Sequence, residues 1–217
     1  MINLKDKKIS NIFLGNKKIT NIFKGNRLMY SSGLPSDYQE VLYVQSSGTQ
    51  FIDTNFIGSN KTSVEIKFRI TTMYGALQLL GTLETGKNIT LNVGNSETAS
   101  NRWGTSTKNG TFGLSTNVTY TAKISEDGYI IGNNNIWTPE KSEFNCSKTF
   151  YLFTTNSSTY RFYGRIYYCK IYDNGTLVRS FIPCYRKSDN EIGLYDIVNH
   201  VFYTNAGTGT FTKGGDV

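Results

Sequence analysis

Ser46-Ser47-Gly48-Thr49-Gln50-Phe51-Ile52-Asp53-Thr54-Asn55-Phe56 reads as a turn that feeds a short strand, with Phe51 facing one way and Ile52 the other. The same device returns near the end of the chain as Gly207-Thr208-Gly209-Thr210-Phe211-Thr212. Two Gly/Thr turns, each joined to a short aromatic strand, thus bracket one long run of strands. A β-sandwich has that form when its first and last strands pair. Residues 50–56 and 201–212 are therefore expected to close the domain, with Gln50, Asp53 and Asn55 as hydrogen-bonding supports of the closing strand.

Inside the brackets the cleanest strand is Val64-Glu65-Ile66-Lys67-Phe68-Arg69-Ile70. Its apolar and charged residues alternate with period two, so one face is buried and the other wet. Further strands are expected at residues 41–44, 76–83, 88–93, 102–105, 120–125, 129–132, 149–154, 160–172 and 176–182. Asp127-Gly128 and Asp173-Asn174-Gly175 read as hairpin turns between them. No stretch has the period of a long amphipathic helix. Short strands separated by turns specify an all-β protein, a sandwich or a barrel.

Composition supports this. With 38% hydrophobic residues, 15 Tyr and 13 Phe, the 217 residues can fill one generous core, and only 3 Pro argues against a disordered tail. Cys146, Cys169 and Cys184 are odd in number and lack metal-ligand spacing, so they are expected to be small buried residues. Lys5, Asp6, Lys7 and Lys8 follow Met1 where a secretory signal would place an apolar segment, so no signal peptide is visible. No run approaches the roughly 18 apolar residues of a membrane span. The chain is expected to be made in the cytoplasm and to reach the outside through lysis or as part of a larger particle.

The net charge of +7 is unevenly distributed. Residues 1–30 hold seven basic side chains against the single Asp6, whereas the remainder holds 16 basic and 15 acidic. The basic stretch is an internal repeat, KKISNIFLGN (7–16) followed by KKITNIFKGN (17–26), with a third unit beginning at Arg27. Each unit is a β-prone run ended by Gly-Asn, which suits a tight turn. A small β-meander turning at Gly15-Asn16 and Gly25-Asn26 is the expected form. Its thin apolar face (Ile9, Ile12, Phe13, Ile19, Ile22, Phe23) needs something to lie against, which suits an attachment or oligomerisation module. Its lysines also protect exposed strand edges. Without a stacking platform they do not specify nucleic acid. The expected organisation is this module at 1–30, a linker at 31–36 and the sandwich at 37–217.

Phe162-Tyr163-Gly164-Arg165-Ile166-Tyr167-Tyr168-Cys169-Lys170-Ile171-Tyr172 resembles the laminin G-like, concanavalin A-like lectin superfamily, which carries an aromatic-x-Gly-x-Ile stretch ahead of an Ile-Tyr strand. Leu34-Pro35-Ser36-Asp37-Tyr38, residues 47–54, Gly193-Leu194-Tyr195-Asp196 and Phe202-Tyr203-Thr204-Asn205 together are similar to domains of phage and prophage structural proteins. The Ile-Phe-x-Gly-Asn repeats look like segments preceding such domains in tail-associated proteins. The resemblance implies a concanavalin A-like jelly-roll sandwich on a virion protein, anchored to other virion proteins through residues 1–30, homo-oligomeric in the particle, and facing host-surface glycan.

Relatives of that superfamily include β-glucanases with catalytic carboxylates spaced Glu-x-Asp-x-x-Glu on one strand. Here Glu65 is followed by Lys67 and Arg69, and no such triplet occurs. His200 is the only histidine, which leaves Ser-His and His-metal chemistry poorly supplied. Asp189-Asn190-Glu191 and Asp173-Asn174 offer oxygens of the kind calcium takes, yet both suit ordinary turns, and no cofactor is expected. Sugar binding needs an aromatic face flanked by amide and guanidinium groups. Such groups cluster at Asn101-Arg102-Trp103, at Asn135 with Trp137, and at Tyr160 with Arg161 and Tyr163. The expected protein is a non-enzymatic virion component with a lectin-like domain. A decoration or assembly protein without a sugar ligand is the alternative, and a polysaccharide hydrolase the more distant one.

Overall fold

The computed structural model describes residues 33–97, 100–157 and 159–217, together with the backbone of residues 12–14, 17–19, 21–24 and 27–31. The N-terminal strands are β1 (Ile12–Leu14), β2 (Lys17–Ile19), β3 (Asn21–Lys24) and β4 (Arg27–Ser31). β1 pairs with β2 and β3 with β4, with Leu14↔Lys17 and Lys24↔Arg27 as the innermost pairs. Two separate hairpins therefore stand where a continuous meander was expected. A single residue separates β2 from β3, fewer than the two that the shortest hairpin loop needs. Ile9, Gly15, Asn16, Gly25 and Asn26 lie outside the described residues, and Ile12, Phe13, Ile19, Ile22 and Phe23 are placed by backbone alone.

The chain continues through β5 (Tyr38–Glu40), β6 (Val44–Ser47), β7 (Ile52–Ser59), β8 (Thr62–Ile70), β9 (Gln78–Thr82) and β10 (Asn88–Asn92). Next come β11 (Ser100–Gly104), β12 (Ser106–Asn109), β13 (Thr119–Ser125), β14 (Gly128–Ile131), β15 (Asn134–Trp137) and β16 (Asn145–Leu152). The last are β17 (Tyr163–Asp173), β18 (Thr176–Arg186), β19 (Ile192–Asp196), β20 (Val201–Tyr203) and β21 (Thr212–Lys213). Two antiparallel sheets result. The smaller has 6 strands in the order β12-β11-β10-β9-β16-β7. The larger has 11, running β15-β14-β13-β8-β17-β18-β19-β20, with β6 also beside β17, β21 beside β6 and β5 beside β18.

The sheets pack face to face because their inner rows are apolar. On β8, Val64, Ile66, Phe68 and Ile70 are at most 2% exposed while the residues between them reach solvent. Facing them from the small sheet are Ile52, Leu79, Ile89, Trp103, Phe150 and Leu152, all at 0%. Burial of each such side chain is worth about 1.5–3 kcal/mol. A second, smaller cluster of Cys184, Tyr195 and Ile197 is covered by Leu34 and Tyr38.

The expected closure exists, with different partners. β21 pairs with β6 (Thr212↔Gln45, Lys213↔Val44), and Val41 bridges Asp216. Ala206 N donates to Phe51 O at 2.9 Å and Thr208 N to Thr49 O at 3.1 Å. Yet β7 enters the small sheet beside β16 and β20 the large one beside β19, so the two bracketing strands belong to different layers. The 173–175 turn is as expected: Asp173 pairs with Thr176, and Asn174 and Gly175 take φ of 46° and 76°, as a type I′ turn requires. The other hairpin turns one residue early, on Glu126 and Asp127, since Gly128 pairs with Ser125.

All three cysteines are free and buried. Burial pushes the Cys146 and Cys184 thiols up to about 12 and Cys169 higher still. Burial, then the hydrogen bond to Glu65, raises Tyr168 to about 12. A raised acid contributes stability that is complete below its unfolded pKa, about 8.5 for a thiol, and is lost as pH climbs through the folded value. The fold should thus hold to about pH 8.5 and weaken steadily towards pH 12 in a denaturation series. At neutral pH an aromatic disulfide reagent should modify none of the thiols until denaturant is added. Rapid reaction of native protein would contradict the burial.

Candidate functional site

The three expected aromatic clusters go to three environments. On β11, Asn101 and Trp103 point inward at 0% exposure and Arg102 points outward. The Trp103 indole sits edge-on against Tyr129 (ring centroids 6.2 Å apart) and Phe144 (5.8 Å). It has no face to offer a sugar, and Asn101 spends its Oδ1 on Asn92 N at 2.7 Å. The physical reason is the strand's period of two: placing Trp103 in the core places Asn101 there too. Trp137 is half-buried and also packs on Tyr129 (4.9 Å), at the edge of the large sheet. Beside it, Asn135 ties up its amide with Thr138 Oγ1 and Trp137 N.

Arg102 and Tyr160, by contrast, are brought together. They line one cavity of about 100 Å³ with Gln78, Asn92, Ser100 and Ala76. Tyr160 and Ala76 continue into a second cavity of about 380 Å³ with Tyr74, Arg161 and Tyr163. Arg102 also lines a third of about 480 Å³ with Glu84, Asn88 and Lys148. The shared residues make these one groove across the small sheet's outer side.

The loop carrying Tyr160 is held at both ends. Phe153 and Phe162 are buried in the core, and Phe162 N donates to Phe153 O at 2.9 Å. Phe153 adopts φ of 69°, a left-handed conformation unusual for an aromatic residue, which turns the chain out of β16 and back over β9. Asn156 accepts from Leu83 N at 2.6 Å and donates to Leu83 O at 3.0 Å, while Thr155 donates to the Gln78 side chain. The far wall rests on the opening turn. Gly48 (φ 98°) lies under the Tyr163 ring, where a Cβ would come within 2.4 Å of ring carbons, and its carbonyl accepts from Arg161 Nη1 at 3.3 Å.

Two features give the groove chemistry. Tyr74 and Tyr160 are 75% and 49% exposed, so two aromatic faces are open. Beneath them Asn92 is 1% exposed, and its Nδ2 has no acceptor among the described residues. A buried donor without a partner costs about 1–3 kcal/mol. Sequence reading missed Tyr74, Gln78, Asn92 and Lys148, which are scattered along the chain and meet only in the fold. A different pocket, of about 270 Å³, lies on the large sheet beside Ile130 and Tyr172, but its Lys123 already faces Glu65 at 3.7 Å.

The carboxylates are occupied elsewhere. Glu84 accepts from Ser147 N (2.6 Å) and Ser147 Oγ (2.8 Å), bonds that hold its pKa below the ordinary value. Asp53 serves Asn55 N and Thr149 Oγ1. Asp189 forms a bidentate pair with Arg186 within a turn where Asn190 has φ of 59°. Gln50, 4% exposed, accepts from Ser46 Oγ and Ser47 N. The polar residues of the opening stretch thus act as supports.

Comparison with protein-family models, curated proteins and solved structures gives no match to this chain.

Proposed function

We propose that the protein is a non-enzymatic virion component whose concanavalin A-like sandwich binds host-surface glycan in the groove over the small sheet. The observation that carries the reading is the pairing of two open tyrosine faces with an arginine along one groove. Pyranose rings present flat C–H faces edged by hydroxyls, which suit an aromatic surface backed by amide and guanidinium groups. Arg102 and Gln78 supply the remaining polar contacts. In this reading residues 1–30 attach the protein to its virion neighbours, and oligomerisation in the particle multiplies a weak single-site affinity. Occupation of Glu84 and Asp53 by neighbouring donors supports binding without turnover.

The full chain, presented multivalently, should bind a subset of bacterial surface polysaccharides on a glycan array. Tyr160→Ala should weaken that binding at least tenfold while leaving thermal stability unchanged, because the side chain is half exposed. Absence of binding to every polysaccharide would end the lectin reading and leave the assembly role. Release of sugar fragments would overturn the non-enzymatic one.

A further inference from the structure

We propose that the groove selects an anionic glycan, one whose units carry carboxylate or phosphate groups. The proposal rests on the glycan reading of the groove and adds the charge of its ligand. Arg102, Arg161 and Lys148 line the connected cavities, against the single carboxylate of Glu84. Glu84 is already neutralised locally: besides its bonds to Ser147 it faces Lys87 Nζ at 3.6 Å. Arg161 donates to the Gly48 carbonyl at 3.3 Å. Neither the Arg102 guanidinium nor the Lys148 ammonium has a hydrogen-bond acceptor or carboxylate partner among the described residues. Elsewhere on the sandwich, Lys61, Lys123, Lys141, Arg179, Arg186 and Lys213 each meet a carboxylate, while Lys67, Arg69, Lys108, Arg165, Lys170 and Lys187 do not, so what sets Arg102 and Lys148 apart is that they line one concave surface together. A chain outside residues 1–30 that is nearly neutral overall thus leaves unanswered positive charge along the groove.

The geometry favours recognition over general attraction. Arg102 lines both the small inner cavity and the wide outer one, with Tyr160 and the Asn92 amide on its inner side. A sugar stacked on Tyr160 would present an acidic substituent to a planar guanidinium. That fork matches carboxylate and phosphate oxygens two at a time. Lys148 adds a second, more exposed charge further along, so a polymer with regularly spaced anions fits better than an isolated acidic sugar.

The test uses the full chain and three probes of similar length: a polygalacturonate, a poly(glycerol phosphate) and a neutral mannan. Both anionic probes should bind more tightly than the mannan, with affinity that falls as salt rises. Arg102→Gln should remove roughly 10- to 100-fold of the anionic affinity, the range of one charge-assisted contact, and Lys148→Gln a smaller part. The better anionic probe identifies carboxylate or phosphate as the natural substituent. Residues 1–30 are themselves basic, so Arg102→Gln is the deciding comparison. Unchanged polyanion binding by that folded variant would locate the attraction in the N-terminal stretch and overturn the proposal. Equal, salt-insensitive binding of all three probes would overturn the charge preference and keep the glycan reading. No binding of any probe, together with a blank array, would remove both.

Discussion

Replacing Trp103 with alanine is expected to lower the stability of the sandwich by about 3–5 kcal/mol. A domain has about 5–15 kcal/mol in total. The indole is fully buried and wedged edge-on between Tyr129 and Phe144, so truncation removes its transfer energy and leaves a cavity that two rigid rings cannot fill. At roughly 2–4 °C per kcal/mol for a chain of this length, the melting temperature should fall by on the order of 10 °C. Trp137→Ala is the comparison. That ring is only half-buried against Tyr129, so its loss should cost less. The two tryptophans also report separately, since each variant leaves a single indole. The one remaining in Trp137→Ala should emit at shorter wavelength. Wild-type stability of Trp103→Ala would place the indole outside the core and restore it as a candidate binding face.

Asp196→Ala is expected to be comparably severe, at about 3–5 kcal/mol. The carboxylate is 0% exposed at the end of β19. Its Oδ1 accepts from Ser180 N (2.9 Å) and Val198 N (3.0 Å), and its Oδ2 from Asn199 Nδ2 (2.7 Å). Arg179 Nε lies 3.6 Å away and is itself largely buried. Alanine strands the two backbone donors and takes the carboxylate away from Arg179, whereas Asn199 Nδ2 and Arg179 Nη1 keep the Val178 carbonyl. Asp196→Asn separates the contributions. It keeps an oxygen for the two backbone donors but turns an NH2 group towards Arg179 and Asn199, so it should recover only part of the loss in a urea titration. Full recovery by asparagine would mean that the ion pair contributes nothing.

Much of the layer structure could be read directly from residue order, because period-two alternation is a local property. The alternation over residues 64–70 is the buried pattern of β8, and Asn174-Gly175 turns where its backbone preference demands. The echo of Gly/Thr turns marked a closure between chain ends that the β6–β21 pairing supplies. Gly-Leu-Tyr-Asp and Tyr-Thr-Asn, noted for their resemblance to other domains, owe their polar residues to the scaffold. Asp196 anchors β18 and the turn after β19, and Asn205 accepts from Phe51 N and Gly207 N.

What order alone could not decide was which parity of an amphipathic strand faces inward. In Asn101-Arg102-Trp103 both assignments give a sensible strand, since Arg and Trp each combine an apolar body with a polar end. Contact with Tyr129 and Phe144, far along the chain, settles it, sending Trp103 to the core and Arg102 to the groove. The groove itself depends on long-range register. Asn92 lies opposite Gln78 only because the β9–β10 ladder shifts by one residue there, and Tyr160 reaches Arg102 only because the chain reverses at Phe153. The sequence by itself determined that this is an all-β chain with a basic repeat at its start, since strand period, turn chemistry and charge are written in neighbouring residues. Tertiary structure alone decided where the groove lies, since the distances between Tyr74, Asn92, Arg102 and Tyr160 are set by packing between sheets and loops that residue order does not encode locally.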